Sequence, residues 1–305
     1  GQLNAQNSLG KTDDSGRIVL NVSLEEEIID KSVTKIFENR LKRIVSLNGF
    51  GGNKSYPRFV ITGDVDELTK EVASTTNPLY VLTLNFNLYI GDAIAGTVFS
   101  SESIEIKGIG RSYQKAYIAA IKKINPKNKI IQNFVTQGKN RIIEYYNSRC
   151  DFILTEAKKE ANTRKFDSAI YRLTEVPEVC KECFDKAMEA VAPVYKKQID
   201  KQCKIVFNEA KNAWNQSQDS NGANDASNYL AQIDPNSSCY SEAQIFSNSI
   251  AKRIKELDQR EWNFKLKQQQ DNVDMKKASI RAARDIGVAY AKNRPKVVYN
   301  IRGWY

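Results

Sequence analysis

The chain has 305 residues, 41% hydrophobic and 10% aromatic, enough to bury a sizeable core, and its mean hydropathy is −0.52. It contains no histidine, which excludes Ser-His-Asp triads, Cys-His dyads and His-ligated zinc or haem within it. The formal charge of +10 is uneven: residues 251–305 hold fourteen Lys or Arg against six Asp or Glu, a basic stretch that reads as a solvated face or as an attractor of acidic partners.

Residues 1–16 are rich in Gly, Asn, Ser and Asp without periodicity and read as an extended arm. The opening Gly-Gln-Leu-Asn-Ala-Gln is a polar start of the kind left by removal of a secretory signal, or by an expression remnant. A β-branched run over 17–22 fits a strand. Ser23 and Glu26 then form a Ser-x-x-Glu capping box ahead of Ile28, Ile29, Val33, Ile36, Phe37, Leu41 and Ile44, which predicts a helix over 23–47. The glycine-rich stretch 49–57 has neither Walker nor dinucleotide spacing and reads as a turn into a strand over 58–62. Over 82–90 the pattern alternates strictly, with Leu82, Leu84, Phe86, Leu88 and Ile90 on one side, as a half-buried antiparallel strand requires. Gly91 to Gly96 turns the chain into a partner strand over 97–107, with Ile104 and Ile106 inward. Ser112 caps a helix through Ala116, Ala120 and Ile124 that Asn125-Pro126 ends. Residues 17–126 are thus expected to form an α+β domain, an antiparallel sheet with helices on one face.

Residues 127–258 are expected to be helical and to repeat. Cys150, Glu156, Ala157 and Lys158 return as Cys203, Glu209, Ala210 and Lys211; Ala169, Leu173, Pro177, Cys183 and Ala187 return as Ala226, Leu230, Pro235, Cys239 and Ala243. An offset of 53–58 residues leaves room for two antiparallel helices with their connections, the size class of stacked helical repeats. The absence of a breaker near Cys150 predicts that the helix entering this region continues into the first repeat.

All five cysteines lie in that stretch. In an antiparallel hairpin the chain returns beside its start, which pairs Cys203 with Cys239 and Cys150 with either Cys180 or Cys183, leaving one thiol over. Disulfides at matched places point to an oxidising compartment. Cys180-Lys-Glu-Cys183 also has the spacing of a redox pair, but a thioredoxin-like site needs a strand-to-helix turn, and here the pair stands in a helical region.

A long basic helix is expected over 259–294, followed by an extended docking tail over 295–305. The tail carries Tyr299, Ile301, Arg302, Trp304 and Tyr305, costly to leave in water, so it folds back on its own chain or adds to a neighbour's sheet edge. Stacking on single-stranded nucleic acid ranks last, because export and disulfides argue against it.

The helix over 23–47, Arg58-Phe-Val-Ile-Thr-Gly63, the strand closing on Gly91-Asp92 and Gly96, and Gly108-Ile-Gly110-Arg-Ser-Tyr before an Ala-rich helix resemble small α+β domains of bacterial envelope proteins. The type is seen in the curli-secretion lipoprotein, the LPP20 lipoproteins and the FlgT family of the flagellar motor. The likeness covers about two fifths of the chain and implies a periplasmic or outer-membrane-associated module that packs on copies of itself or on a partner assembly. No lipidated cysteine stands at the start, so a lipid anchor is not carried over. Residues 150–258 look like tetratricopeptide-type repeats, with Glu-Ala-Asn-Thr-Arg-Lys-Phe-Asp-Ser-Ala-Ile over 160–170 in the place of the repeat turn.

The sequence therefore reads as an exported, non-enzymatic envelope scaffold working in multiple copies, with protein partners met by the helical-repeat groove and by Tyr299, Ile301, Arg302, Trp304 and Tyr305. It needs no cofactor or metal, and no apolar run approaches the roughly 18 residues of a membrane helix. Two alternatives are a structural component of a phage or other extracellular particle, and a thiol-redox enzyme using Cys180 and Cys183.

Overall fold

The computed structural model describes residues 17–52, 58–74, 76–268, 272–295 and 298–305. The expected arm over 1–16 and part of the glycine-rich turn, 53–57, lie outside the described residues. The fold is α+β. Two compact units are present: one of Gly1–Asp151, Glu175–Phe184 and Ala291–Tyr305, the other of Phe152–Thr174 and Asp185–Tyr290.

The first unit is built on a four-stranded sheet in the order β1-β2-β3-β4: β1 (Asn21–Val22), β2 (Phe59–Val72), β3 (Tyr80–Asp92) and β4 (Thr97–Gly110). Strands β2, β3 and β4 form an antiparallel meander, and the two-residue β1 runs parallel to β2 because helix α1 (Lys31–Leu47) carries the chain back between them. The alternation along β3 has its physical effect here. Leu82, Leu84, Phe86, Leu88 and Ile90 all have 0% exposure, and burying such a side chain is worth about 1.5–3 kcal/mol. They face α1, α2 (Tyr113–Lys123) and α3 (Lys129–Ser148): Phe37 of α1 lies 5.7 Å from Phe86 ring to ring, and Ala116 and Ala120 of α2 close on Gly108 of β4. A side chain at Gly108 would place its Cβ 2.1 Å from the Ala116 carbonyl oxygen, so only glycine lets α2 sit this near the sheet. Ile104 and Ile106 are half-buried.

Helix α1 begins at Lys31, not at the Ser23 box. The Ser23 amide donates to the Ile61 carbonyl at 3.1 Å, extending the β1 ladder, so Glu26 has no amide to reach back to. The cap is Asp30, whose Oδ1 accepts from the amides of Ser32 and Val33 at 2.8 and 2.9 Å, while its Oδ2 accepts from Gln114 of α2 at 2.7 Å. Ser112 caps α2 by accepting from the Lys115 amide at 3.2 Å. Helix α3 ends at Ser148 with Arg149 as its C-cap, so it does not run on into α4 (Cys150–Asn162).

The second unit is helical: most of α4, α5 (Phe166–Thr174), the length of α6 (Lys181–Gln216) beyond Phe184, α7 (Ser220–Leu230), α8 (Tyr240–Asp258) and α9 (Asn272–Asn293) up to Tyr290. The period of the sequence repeat spans three helical stretches, long, short and long, rather than two, because α5 and α7 have only 9 and 11 residues. The helix expected over 259–294 is shorter. Gln259, at φ 54°, ends α8, and residues 260–268 carry no helix. The alternation of Trp262, Phe264 and Leu266 explains this: period two is the pattern of an extended chain laid on a surface.

Replacing Asp30 with Ala removes two amide acceptors at the start of α1 and is expected to lower stability by about 1 kcal/mol in urea unfolding, whereas Ser23→Ala leaves helix α1 intact by circular dichroism.

Candidate functional site

The turn between β3 and β4 is built around a buried, fully partnered carboxylate. Asp92, 1% exposed, accepts from Arg58 Nε at 2.7 Å through Oδ2 and from the amides of Ile94 and Ala95 at 3.0 and 2.9 Å through Oδ1. Gly96, at φ +71°, closes the turn with its amide on the Asp92 carbonyl at 2.8 Å. The turn then directs the carbonyls of Ala93, Ile94 and Gly96 toward the C-terminal segment.

That segment docks on its own sheet. Asn300 donates its amide to the Ala93 carbonyl at 2.6 Å and its Nδ2 to the Ile94 carbonyl at 3.0 Å, and Trp304 Nε1 donates to the Gly96 carbonyl at 3.1 Å. Ile301 is wholly buried and Trp304 is 7% exposed, both against Val60 and Ala93, with Tyr89 and Tyr299 at the margin. The Tyr305 hydroxyl and Thr62 Oγ1 are 2.7 Å apart, and the Tyr305 ring meets Tyr89 edge-on at 5.8 Å. Arg302 pairs with Glu25 at 3.1 Å while 93% of its side chain stays exposed. A Cβ at Gly91 would stand 2.8 Å from the Trp304 ring, so that glycine makes room for the indole.

Of the five residues expected to meet a partner, Ile301 and Trp304 are therefore occupied within the chain, and Tyr299, Arg302 and Tyr305 surround them. Among the described residues the tail adds no strand to the sheet; residues Arg302–Trp304 form a 3₁₀ turn. Sequence reasoning named the ligand and missed its receptor. The signal lay in Gly91-Asp92 and Gly96, read only as a turn. Nearby, Asp64 has one carboxylate oxygen buried without a hydrogen-bond partner, and burial, reinforced by Asp66 and Glu26, pushes its pKa up.

The cysteines divide between the two units. Cys150 is bridged to Cys183 in the first, with Cα atoms 5.6 Å apart, and Cys203 to Cys239 in the second, at 6.0 Å. Each closes a loop of 33 or 36 residues, worth roughly 3–4 kcal/mol by chain entropy. The second bridge is framed by Asp200, which accepts from the Ser238 amide at 2.7 Å, and by the Ser237 hydroxyl, 2.9 Å from Cys203 Sγ. Cys180 is a buried free thiol whose pKa burial pushes up to about 11. The Cys180–Cys183 pairing of a redox site does not form, and a thiol protonated at neutral pH lacks the thiolate such chemistry uses. Among the described residues, no group of Cys, Asp or Glu is arranged to hold a metal ion.

The helices of the second unit carry a core of Val206, Phe207, Ala210, Trp214, Ala226, Leu230 and Ile250. Trp262, Phe264 and Leu266 lie on that core from the extended segment after α8, and the Tyr240 hydroxyl donates to the Lys267 carbonyl at 2.7 Å. Part of the helical surface expected to receive partners is thus covered by the chain's own strap.

Trp304→Ala is expected to cost about 3 kcal/mol or more in urea unfolding, as truncation of a buried large aromatic does. For Asp64, a raised folded pKa means that ionisation is disfavoured in the fold, so stability falls as pH rises from the ordinary carboxylate range through the raised value. Asp64→Asn is accordingly expected to raise the melting temperature at pH 7, with the gain vanishing near pH 3; an equal gain at both pH values would refute the assignment.

No family model and no curated protein matches the sequence. Among solved structures, the 2.35 Å crystal structure of a minor lipoprotein from Acinetobacter baumannii is similar at 15% identity, over 41% of this chain and 94% of that chain, with a TM-score of 0.25. A likeness at that score carries no inference about function.

Proposed function

We propose that this protein is an exported cell-envelope scaffold that binds other proteins through cysteine-stapled helical repeats and works in several copies. The observation that carries the reading is the pair of disulfides, Cys150–Cys183 and Cys203–Cys239, at corresponding places of two successive helical stretches. Buried bridges of this kind persist in oxidising compartments and are rare in the cytosol. The repeat has support in packing: Ala157 and Ala210, Ala169 and Ala226, Leu173 and Leu230, Ala187 and Ala243 are matched pairs whose members are at most 1% exposed. Small and apolar residues at equivalent points let paired helices approach equally closely, which is how repeat arrays offer a continuous surface to partners. Among the described residues no helix is long and apolar enough to cross a membrane.

The test is a disulfide map of the protein taken from its native cells under acid quench. Expected are both bridges intact and one thiol, Cys180, that reacts with an aromatic disulfide reagent at pH 8 only after denaturation. Fully reduced cysteines in freshly quenched cells, or recovery with the cytosolic fraction, would defeat the proposal.

A further inference from the structure

The C-terminal segment is bound to the sheet as a ligand is bound to a receptor. Its partners lie far away in sequence: 206 and 208 residues for the Ile94 and Gly96 carbonyls, 243 for Thr62 and 277 for Glu25. Among the described residues it joins no ladder of the four-stranded sheet, so its departure breaks none of the strand pairings described. It is held by two buried anchors, Ile301 and Trp304, while the lead-in residue Val298 is 80% exposed. Pro295 follows the end of helix α9 at Asn293 and, having no backbone N–H, would not be accommodated in its interior.

We propose that the cleft formed by Val60, Thr62, Gly91 and the 92–96 turn receives the C-terminal segment of a second copy of this chain, so that copies associate by exchanging tails. The contacts within one chain and between two are chemically identical, because every copy carries the same cleft and the same segment. The choice between them is set by the effective concentration of a chain's own tethered tail, on the order of millimolar, against the concentration of neighbours. An assembly or a crowded compartment raises the second term. Reciprocal exchange closes a two-fold dimer, and passing the segment onward builds an open array. The inference deepens the multi-copy part of the proposed function and is independent of the compartment.

The geometry supplies its own reporter. A Cβ built at Gly96 lies 3.5 Å from the Asn300 Cβ, within the range that a disulfide spans. Full-length Gly96→Cys and Asn300→Cys variants, mixed at rising concentration and oxidised, are expected to give a covalent dimer bridged between position 96 of one chain and position 300 of the other, located by mass spectrometry. The Gly96→Cys/Asn300→Cys double variant is expected to close within single chains when dilute. A double variant that bridges fully while the mixture stays at single-chain mass up to millimolar concentration overturns exchange, and a double variant that fails to bridge overturns the cleft itself. Because Gly96 has a positive φ, the unaltered chain is measured in parallel by light scattering. A mass rising from 34.6 kDa toward twice that value, and falling again when a Val298–Tyr305 peptide is added in excess, supports exchange; a constant 34.6 kDa overturns it. Exchange by a chain with reduced cysteines would keep this inference and remove the exported-scaffold reading, and a bridged chain that never exchanges would do the reverse.

Discussion

The carboxylate of Asp92 is the constraint on which the organisation of the sheet's second face depends. A buried charge is tolerable only when it is paired and hydrogen-bonded, and here one oxygen takes the Arg58 guanidinium while the other takes two turn amides. The result is a rigid turn with three carbonyls left for other donors. Those carbonyls orient Asn300 and Trp304, and Trp304 and Ile301 in turn bury Val60 and Ala93. Charge pairing, turn geometry and apolar burial are therefore consecutive links of one chain of cause.

Much of the first unit was legible in the sequence, and the reason is local. Strict alternation over 82–90 has one physical solution, a strand with one dry face, and the five alternating side chains are indeed inaccessible. Ser112 stands directly before an Ala-rich helix and caps it. The Ser23 box misled because it weighs only its own four residues; the amide it needed belongs to the β1–β2 ladder, a contact set by residues nearly forty positions away. The period-two pattern of Trp262, Phe264 and Leu266 was present but was absorbed into a helical reading. The tail's composition showed that it must dock, whereas the cleft depends on a pair between half-buried Arg58 and buried Asp92 that no linear pattern announces.

The cysteines teach a complementary lesson. The pairs are those expected from the return of the chain, but not at the expected helix ends: Cys183 lies in the first turn of α6, Cys203 in its interior, and Cys239 just before α8. What spacing did not supply was the choice between Cys180 and Cys183. Burial raises the pKa of the remaining thiol, which disfavours the anion that thiol chemistry uses.

The distance in sequence between the sheet and its covering segment has a consequence for biosynthesis. Asn300 follows Ile94 by 206 residues, a gap that translation at about 5–20 residues per second crosses in about 10–40 s. Throughout that interval the emerging domain presents Val60, Tyr89 and Ala93 bare to its surroundings. The sheet of the first unit is thus synthesised well before the segment that covers Val60 and Ala93.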